Sequence, residues 1–252
     1  MGKTIAVAGK GGTGKTTVAA LLIHLLSKSA AVLAVDADPS TNLNMALGVP
    51  VTETVGDVRE DLLDKVKGGT FEAGVPKRDY LEVKIQQALV EHDNFDLLAM
   101  GSPEGSGCYC AANHMLRSLV DRLMKSYSFV VMDNEAGMEH ISRQITRDVD
   151  ILLLISEPTV RGMTTAIRIK ELAERLKNSI KTVYLVLNKV NGGLSPEVTA
   201  AISDSGLRLL ASIPWDERMV ELDAAGRPMT ELPEDSPAYS AVRNLAKELD
   251  LI

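Results

Sequence analysis

Within its first 26 residues the chain sets a strand, a glycine-rich turn and a helix around two lysines. Lys3 to Ala8 (KTIAVA) reads as a short apolar strand, and Thr17 to Leu26 (TVAALLIHLL) as a helix apolar nearly all round. Between them, Gly9-Lys10-Gly11-Gly12-Thr13-Gly14-Lys15-Thr16-Thr17 fits G-x-x-x-x-G-K-[ST], with Gly9, Gly14, Lys15 and Thr16 at the fixed positions. Glycines let consecutive N–H groups turn inward as an anion nest, and the helix N-terminus adds its positive dipole end. The backbone of Gly11, Gly12, Thr13 and Gly14 is therefore expected to cradle phosphates. Lys15 should reach the β- and γ-phosphates of ATP, the Thr16 hydroxyl should ligate Mg²⁺, and Thr17 should contact the α-phosphate.

The remaining pattern agrees with that start. Apolar runs at Ala31–Val35, Phe95–Met100, Phe129–Met132, Ile151–Ile155, Val183–Leu187 and Leu209–Ile213 alternate with helical segments at Leu43–Leu47, Ala111–Lys125, Gly162–Leu176 and Pro237–Leu249. Alternation of this kind predicts a single α/β domain over residues 1–252, a mostly parallel twisted sheet with helices on both faces. Val51 to Arg78 reads as a polar surface excursion with a short helix near Val58–Val66. Tyr80 to His92 should pack on the sheet edge as either helix or strand. Ligands are expected at the carboxyl ends of the strands.

Composition excludes several classes. The net charge of −7, from 27 basic and 34 acidic residues, argues against non-specific binding to nucleic acid or anionic lipid. No apolar stretch approaches the ~20 residues that span a bilayer. The chain enters a strand directly, and its two cysteines cannot build a multi-disulfide framework, so a reducing, cytoplasmic setting is expected.

Acidic residues fall where a cation and an attacking water would be. Asp133 follows Phe129-Val130-Val131-Met132 and occupies the Walker B position, where it should hold Mg²⁺ directly or through water. Gly137 lies four residues on, suited to a loop that senses the γ-phosphate. Asp36-Ala37-Asp38-Pro39 closes the second strand, Asn188-Lys189 closes the strand at Val183–Leu187, and Pro214-Trp215-Asp216 follows the last one. Guanine readers extend N-K to N-K-x-D, whereas Asn191 stands at that place here, which favours ATP.

Lys10 adds a second lysine to the loop. Lys10 to Thr16 matches K-G-G-x-G-K-[ST], and here the chain resembles the deviant P-loop ATPases, the group of MinD, the ParA partition proteins and the nitrogenase iron protein. The resemblance implies a homodimer in which Lys10 reaches phosphates bound by the partner. It implies that Asp38 orients water and that Asp36 supports the Mg²⁺ shell. It also implies that Asn188 hydrogen-bonds adenine, with Pro214 and Trp215 covering the other edge of the base.

Both cysteines lie in Gly105-Ser106-Gly107-Cys108-Tyr109-Cys110, just before a helix. Helix N-termini favour thiolates, the metal-binding form, although two small buried side chains would give the same spacing. Two thiolates fall short of the four ligands of a closed site, and a symmetric dimer would supply the other two. His114 could complete a site within one chain, and His140 is a comparable candidate near the nucleotide. The P-loop, the C-x-C and Asp133-Asn134-Glu135-Ala136-Gly137-Met138-Glu139-His140 together resemble the CooC-type nickel-insertion ATPases of carbon monoxide dehydrogenase and acetyl-CoA synthase maturation.

That resemblance implies an ATP-dependent metallochaperone carrying Ni²⁺, with Zn²⁺ or an iron–sulfur cluster equally compatible with thiolates, and a nickel metalloenzyme as client. Two alternatives stand beside it. An ATP-dependent reductase like the nitrogenase iron protein also uses two cysteines per chain, but that family spaces them far apart. A positioning ATPase of MinD or ParA type would need a basic tail, whereas Ala241–Leu251 balances Arg243 and Lys247 with Glu248 and Asp250.

Overall fold

A computed structural model describes residues 2–102, 110–135, 148–175 and 179–252. Among the described residues the chain forms a single α/β domain built on an eight-stranded sheet in the order β3-β4-β2-β5-β1-β6-β7-β8. The strands are β1 (Lys3–Gly9), β2 (Val32–Asp36), β3 (Val90–Glu91), β4 (Asp96–Ala99), β5 (Phe129–Asp133), β6 (Asp148–Ser156), β7 (Ser179–Val190) and β8 (Arg208–Pro214). All neighbours run parallel except β3 and β4, which close one edge as an antiparallel pair.

The strand period of two sorts the core into two faces. Ile5 and Val7 of β1, Ala34 of β2, Val131 of β5, Leu153 of β6 and Ile213 of β8 face one way. They pack under α1 (Lys15–Leu26), α2 (Leu43–Leu47) and α9 (Pro237–Glu248). Helix α1 is covered by the sheet on one side and by α9 and α2 on the others, which explains its buried run from Val18 to Ile23. The alternate residues face the opposite layer. Leu33, Val35, Leu98 and Met132 meet α3 (Val55–Lys67), α4 (Lys77–Ala88) and α5 (Cys110–Met124). Ala6, Ala8, Leu152 and Leu185 meet α6 (Val160–Arg175) and α7 (Pro196–Ser205).

Two regions depart from expectation. The segment read as a polar excursion carries a longer helix, α3, that buries Val55, Val58 and Leu62. Its start is set by a capping box in which the Thr54 hydroxyl accepts from the Asp57 N–H and the Asp57 carboxylate accepts from the Thr54 N–H. The 80–92 segment divides: α4 runs to Ala88, and Val90–Glu91 then supplies the edge strand. Helix α8 (Glu217–Ala224) and a 3₁₀ turn at Met229–Glu231 lie between β8 and α9.

Candidate functional site

Buried polar side chains collect at the carboxyl edge of the sheet. Asp36 ends β2, Asp133 ends β5, Ser156 ends β6, and Asn188 lies near the end of β7, with Thr13 on the loop after β1 and Lys15 at the start of α1; all are buried. Burying so many polar groups costs free energy unless each is paired or serves a ligand. Their partners therefore define the site.

The loop between β1 and α1 is shaped by close backbone approach. A Cβ on Gly9 would stand 2.2 Å from the carbonyl oxygen of Ile155 in β6, so only glycine lets the two strands' ends come together there. Gly14 has φ +88°, the left-handed region that favours glycine, and it starts α1 without a side-chain cap. The first N–H groups of α1 are thus left to a ligand. Lys15 is buried, with Nζ 3.4 Å from the Lys10 carbonyl oxygen, which also accepts from the Thr13 hydroxyl at 2.8 Å. Lys10, by contrast, is exposed, as are Gly11 and Gly12.

Thr16 and Asp133 meet as the sequence predicts. The Thr16 hydroxyl donates to Asp133 Oδ2 at 2.5 Å, while Asp133 Oδ1 is buried and has no hydrogen-bond partner. Burial pushes the Asp133 carboxyl up to about 7, and the charges of Asp36 and Asp38 add to the rise, against the Thr16 hydrogen bond and the Lys15 ammonium. An orphaned carboxylate oxygen beside a hydroxyl, in a pocket short of positive charge, suits a hard divalent cation with oxygen ligands. The donor set fits Mg²⁺.

The neighbouring aspartates divide their work. Asp36 Oδ1 accepts from the Asp38 N–H at 3.1 Å and Oδ2 from the Leu43 N–H at 2.9 Å. Each oxygen thus accepts one N–H of the β2–α2 loop, which fixes the orientation of the carboxylate beside Asp133. Burial pushes the Asp36 carboxyl up to about 6, although those two N–H groups pull it down. Asp38 is half-buried and accepts from the Ser40 N–H at 2.8 Å.

Asn188 is tied to the phosphate-binding loop. Its Nδ2 donates to the Thr13 carbonyl at 2.8 Å, tying β7 to the phosphate-binding loop. Pro214 and Trp215 lie at the end of the adjacent strand β8, where the Trp215 N–H donates to the Val190 carbonyl and the indole is 48% exposed. Sequence reasoning missed two residues. Asn134 sends Nδ2 to the Val7 carbonyl at 3.0 Å, bracing β5 against β1. Asp216 is a buried cap that accepts from the Arg218 N–H and the Ser236 hydroxyl, joining the starts of α8 and α9. The pattern D-x-R at the start of a helix was the available signal for Asp216; nothing local marks the partner of Asn134.

The candidate metal ligands are less completely seen. Cys108, Gly137 and His140 lie outside the described residues, and Cys110 is placed only as the first residue of α5. His114 is exposed on α5. Among the described residues there is no cluster of three or more His, Cys, Asp or Glu side chains suited to a metal, and no helix is long and apolar enough to cross a membrane.

Comparison with known proteins agrees with this geometry. The profile of the CobQ/CobB/MinD/ParA nucleotide binding domain matches residues 4–229. The chain is 46% identical to an uncharacterized ATP-binding protein of Methanocaldococcus jannaschii over 246 residues, 97% of either chain. It is 36% identical to the carbon monoxide dehydrogenase accessory protein CooC of Rhodospirillum rubrum over 237 residues, 88% of this chain and 87% of that one. Among solved structures, the septum site-determining protein MinD of Pyrococcus horikoshii, complexed with Mg-ADP, superposes with a TM-score of 0.70 at 24% identity, covering 99% of this chain and 96% of that one. The chain belongs to the CobQ/CobB/MinD/ParA nucleotide-binding family and is a P-loop ATPase.

Proposed function

We propose that this ATPase is a metallochaperone that works as a homodimer and delivers nickel to a carbon monoxide dehydrogenase or acetyl-CoA synthase-type enzyme. The observation that carries the reading is the 36% identity to CooC across 88% of this chain, joined to a C-x-C sequence whose second cysteine, Cys110, opens α5. The fold supports a link between that pair and the nucleotide. Strand β4 lies beside β2, and the Met100 N–H donates to the Asp36 carbonyl at 2.8 Å. The segment toward Cys108 and Cys110 thus leaves the sheet from the edge that carries Asp36 and Asp38.

In this scheme Lys15 and the N–H groups of Gly11, Gly12, Gly14, Lys15 and Thr16 hold the phosphates, with Thr13 closing the loop on the Lys10 carbonyl, and Thr17 meets the α-phosphate. Thr16 and Asp133 hold Mg²⁺, which when bound neutralises charge on the β- and γ-phosphates. Asp38 orients the attacking water. Exposed Lys10 extends to the partner's nucleotide, and Asn188 hydrogen-bonds adenine with Pro214 and Trp215 covering the other edge of the base. Cys108 and Cys110 of both subunits form a four-thiolate site for Ni²⁺, which Zn²⁺ could also occupy. A nucleotide shifts the metal site only as far as its affinities for the two dimer states differ, and the coupling is reciprocal.

Metal titration of the wild type and of a Cys108→Ser/Cys110→Ser variant tests the reading, with ADP, with a non-hydrolysable ATP analogue and without nucleotide. One nickel per two chains is expected, lost in the variant, with an affinity that differs between ADP and the analogue. Equal affinity in all three states removes the coupling, and retention of nickel by the variant removes the thiolate site.

A further inference from the structure

We infer that Asn188, Lys189 and Glu157 form a brace that sets the phosphate-binding loop in its binding geometry by holding two successive loop carbonyls from behind. The inference concerns the ATPase site and does not depend on the metal reading.

Asn188 Nδ2 donates to the Thr13 carbonyl at 2.8 Å, and Lys189 Nζ donates to the Gly12 carbonyl at 2.6 Å. In a regular strand, consecutive side chains leave on opposite faces, so neighbours 188 and 189 would not reach adjacent targets. Here the β7–β8 register shifts between Leu187 and Val190, and Lys189 has φ +58°. Bulges next to sites re-aim side chains, and a left-handed backbone at a non-glycine residue is costly enough to suggest a use. Together they swing both side chains onto the same loop. Glu157, directly after β6, holds the Lys189 ammonium at 3.1 Å and so fixes its direction.

Peptide planarity converts this grip into ligand geometry. In a trans peptide the C=O and N–H point opposite ways. Drawing the Thr13 carbonyl toward Asn188 therefore turns the Gly14 N–H to the other side of the loop. Drawing the Gly12 carbonyl toward Lys189 holds the Thr13 N–H toward the Lys10 carbonyl, 3.4 Å away. The absence of a side chain at Gly14 lets Asn188 come this close, since a Cβ there would lie 2.2 Å from Nδ2. Asn188, Lys189 and Glu157 are positioning residues: they touch the loop, and the loop touches the phosphates.

Steady-state ATPase kinetics of the full chain test the brace in Lys189→Met, Lys189→Arg and Glu157→Gln, together with calorimetric binding of ADP and of inorganic pyrophosphate, which has no base. Because the loop holds phosphates in ground and transition states alike, Lys189→Met should raise KM roughly tenfold with kcat within about twofold. Affinity for ADP and for pyrophosphate should fall by the same factor. Lys189→Arg should recover most of the loss, and Glu157→Gln should raise KM in the same direction by less. A fall in kcat at unchanged KM would show a merely structural role and overturn the proposal. A loss seen with ADP but not with pyrophosphate would reveal a base contact instead, and unchanged kinetics would also overturn it. Should Lys189→Met fail to fold, Glu157→Gln carries the same test from an exposed side chain.

Discussion

Replacing Asp133 by asparagine should make the nucleotide-free protein more stable while disabling its ATPase. Asp133 is 1% exposed, its Oδ1 lacks a partner, and Asp36 and Asp38 press on it electrostatically. Its carboxyl rises from 3.8 to about 7 on folding. At about 1.4 kcal/mol per pH unit, that interval disfavours the folded, ionised state by a ceiling of about 4 kcal/mol above pH 7. Asparagine removes the charge but replaces a charge-assisted Thr16 bond with a neutral one and buries an unpaired amide, costing ~2 kcal/mol. A net gain of about 2 kcal/mol remains, or roughly 4–8 °C in Tm for a chain of this size.

The sign depends on pH. Between 3.8 and about 7 the folded state holds a proton that the unfolded state has lost, so wild-type stability falls as pH rises through that window. The advantage of Asp133→Asn should accordingly be largest near pH 8, vanish at about pH 5 and reverse toward pH 4, where only the cost remains. Thermal melts in EDTA across this range measure it, and Mg²⁺ with ADP should raise the Tm of the wild type but not of the variant. A variant less stable than wild type at pH 8, or an advantage indifferent to pH, would refute the reasoning.

Other perturbations follow from the same contacts. Gly14→Ala combines a φ of +88° with a Cβ 2.2 Å from Asn188 Nδ2, so ADP binding measured by calorimetry should be lost even where the fold survives. Asp216→Ala removes a buried acceptor for the Ser236 hydroxyl and the Arg218 and Ala238 N–H groups and should cost about 2–4 kcal/mol in urea denaturation. Thr54→Ala breaks the capping box of α3 and should cost ~1 kcal/mol with ATPase kinetics unchanged.

Sequence reasoning succeeded where contacts are local in the chain or where a strand is buried on both faces. The loop from Gly9 to Thr17 is such a case, because its glycines, its lysine and the adjacent helix are contiguous. Asp133 was legible as the acid at the end of an apolar run. The contacts of Asp36 were not legible, because they involve two backbone N–H groups, one of them seven residues away at Leu43. Helix α3 was underestimated because its buried stripe of Val55, Val58 and Leu62 is diluted by charged residues on the exposed face. The edge strand β3, two residues long, carries too little pattern to see and exists only because β4 lies beside it.

The amino-acid order alone determined the family, the parallel sheet, the phosphate loop with its two lysines, and the Thr16 and Asp133 pair. Periodicity and short motifs encode these, since each is written in consecutive residues. Tertiary structure decided the burial of each lysine, Lys15 at the start of α1 being buried and Lys10 exposed. It also decided what Asn188 and Lys189 face. Their target is a loop about 175 residues earlier in the chain, brought within hydrogen-bonding reach by strand order and a bulge at the end of β7. Contacts of that separation arise from closing the sheet, and no local pattern records them.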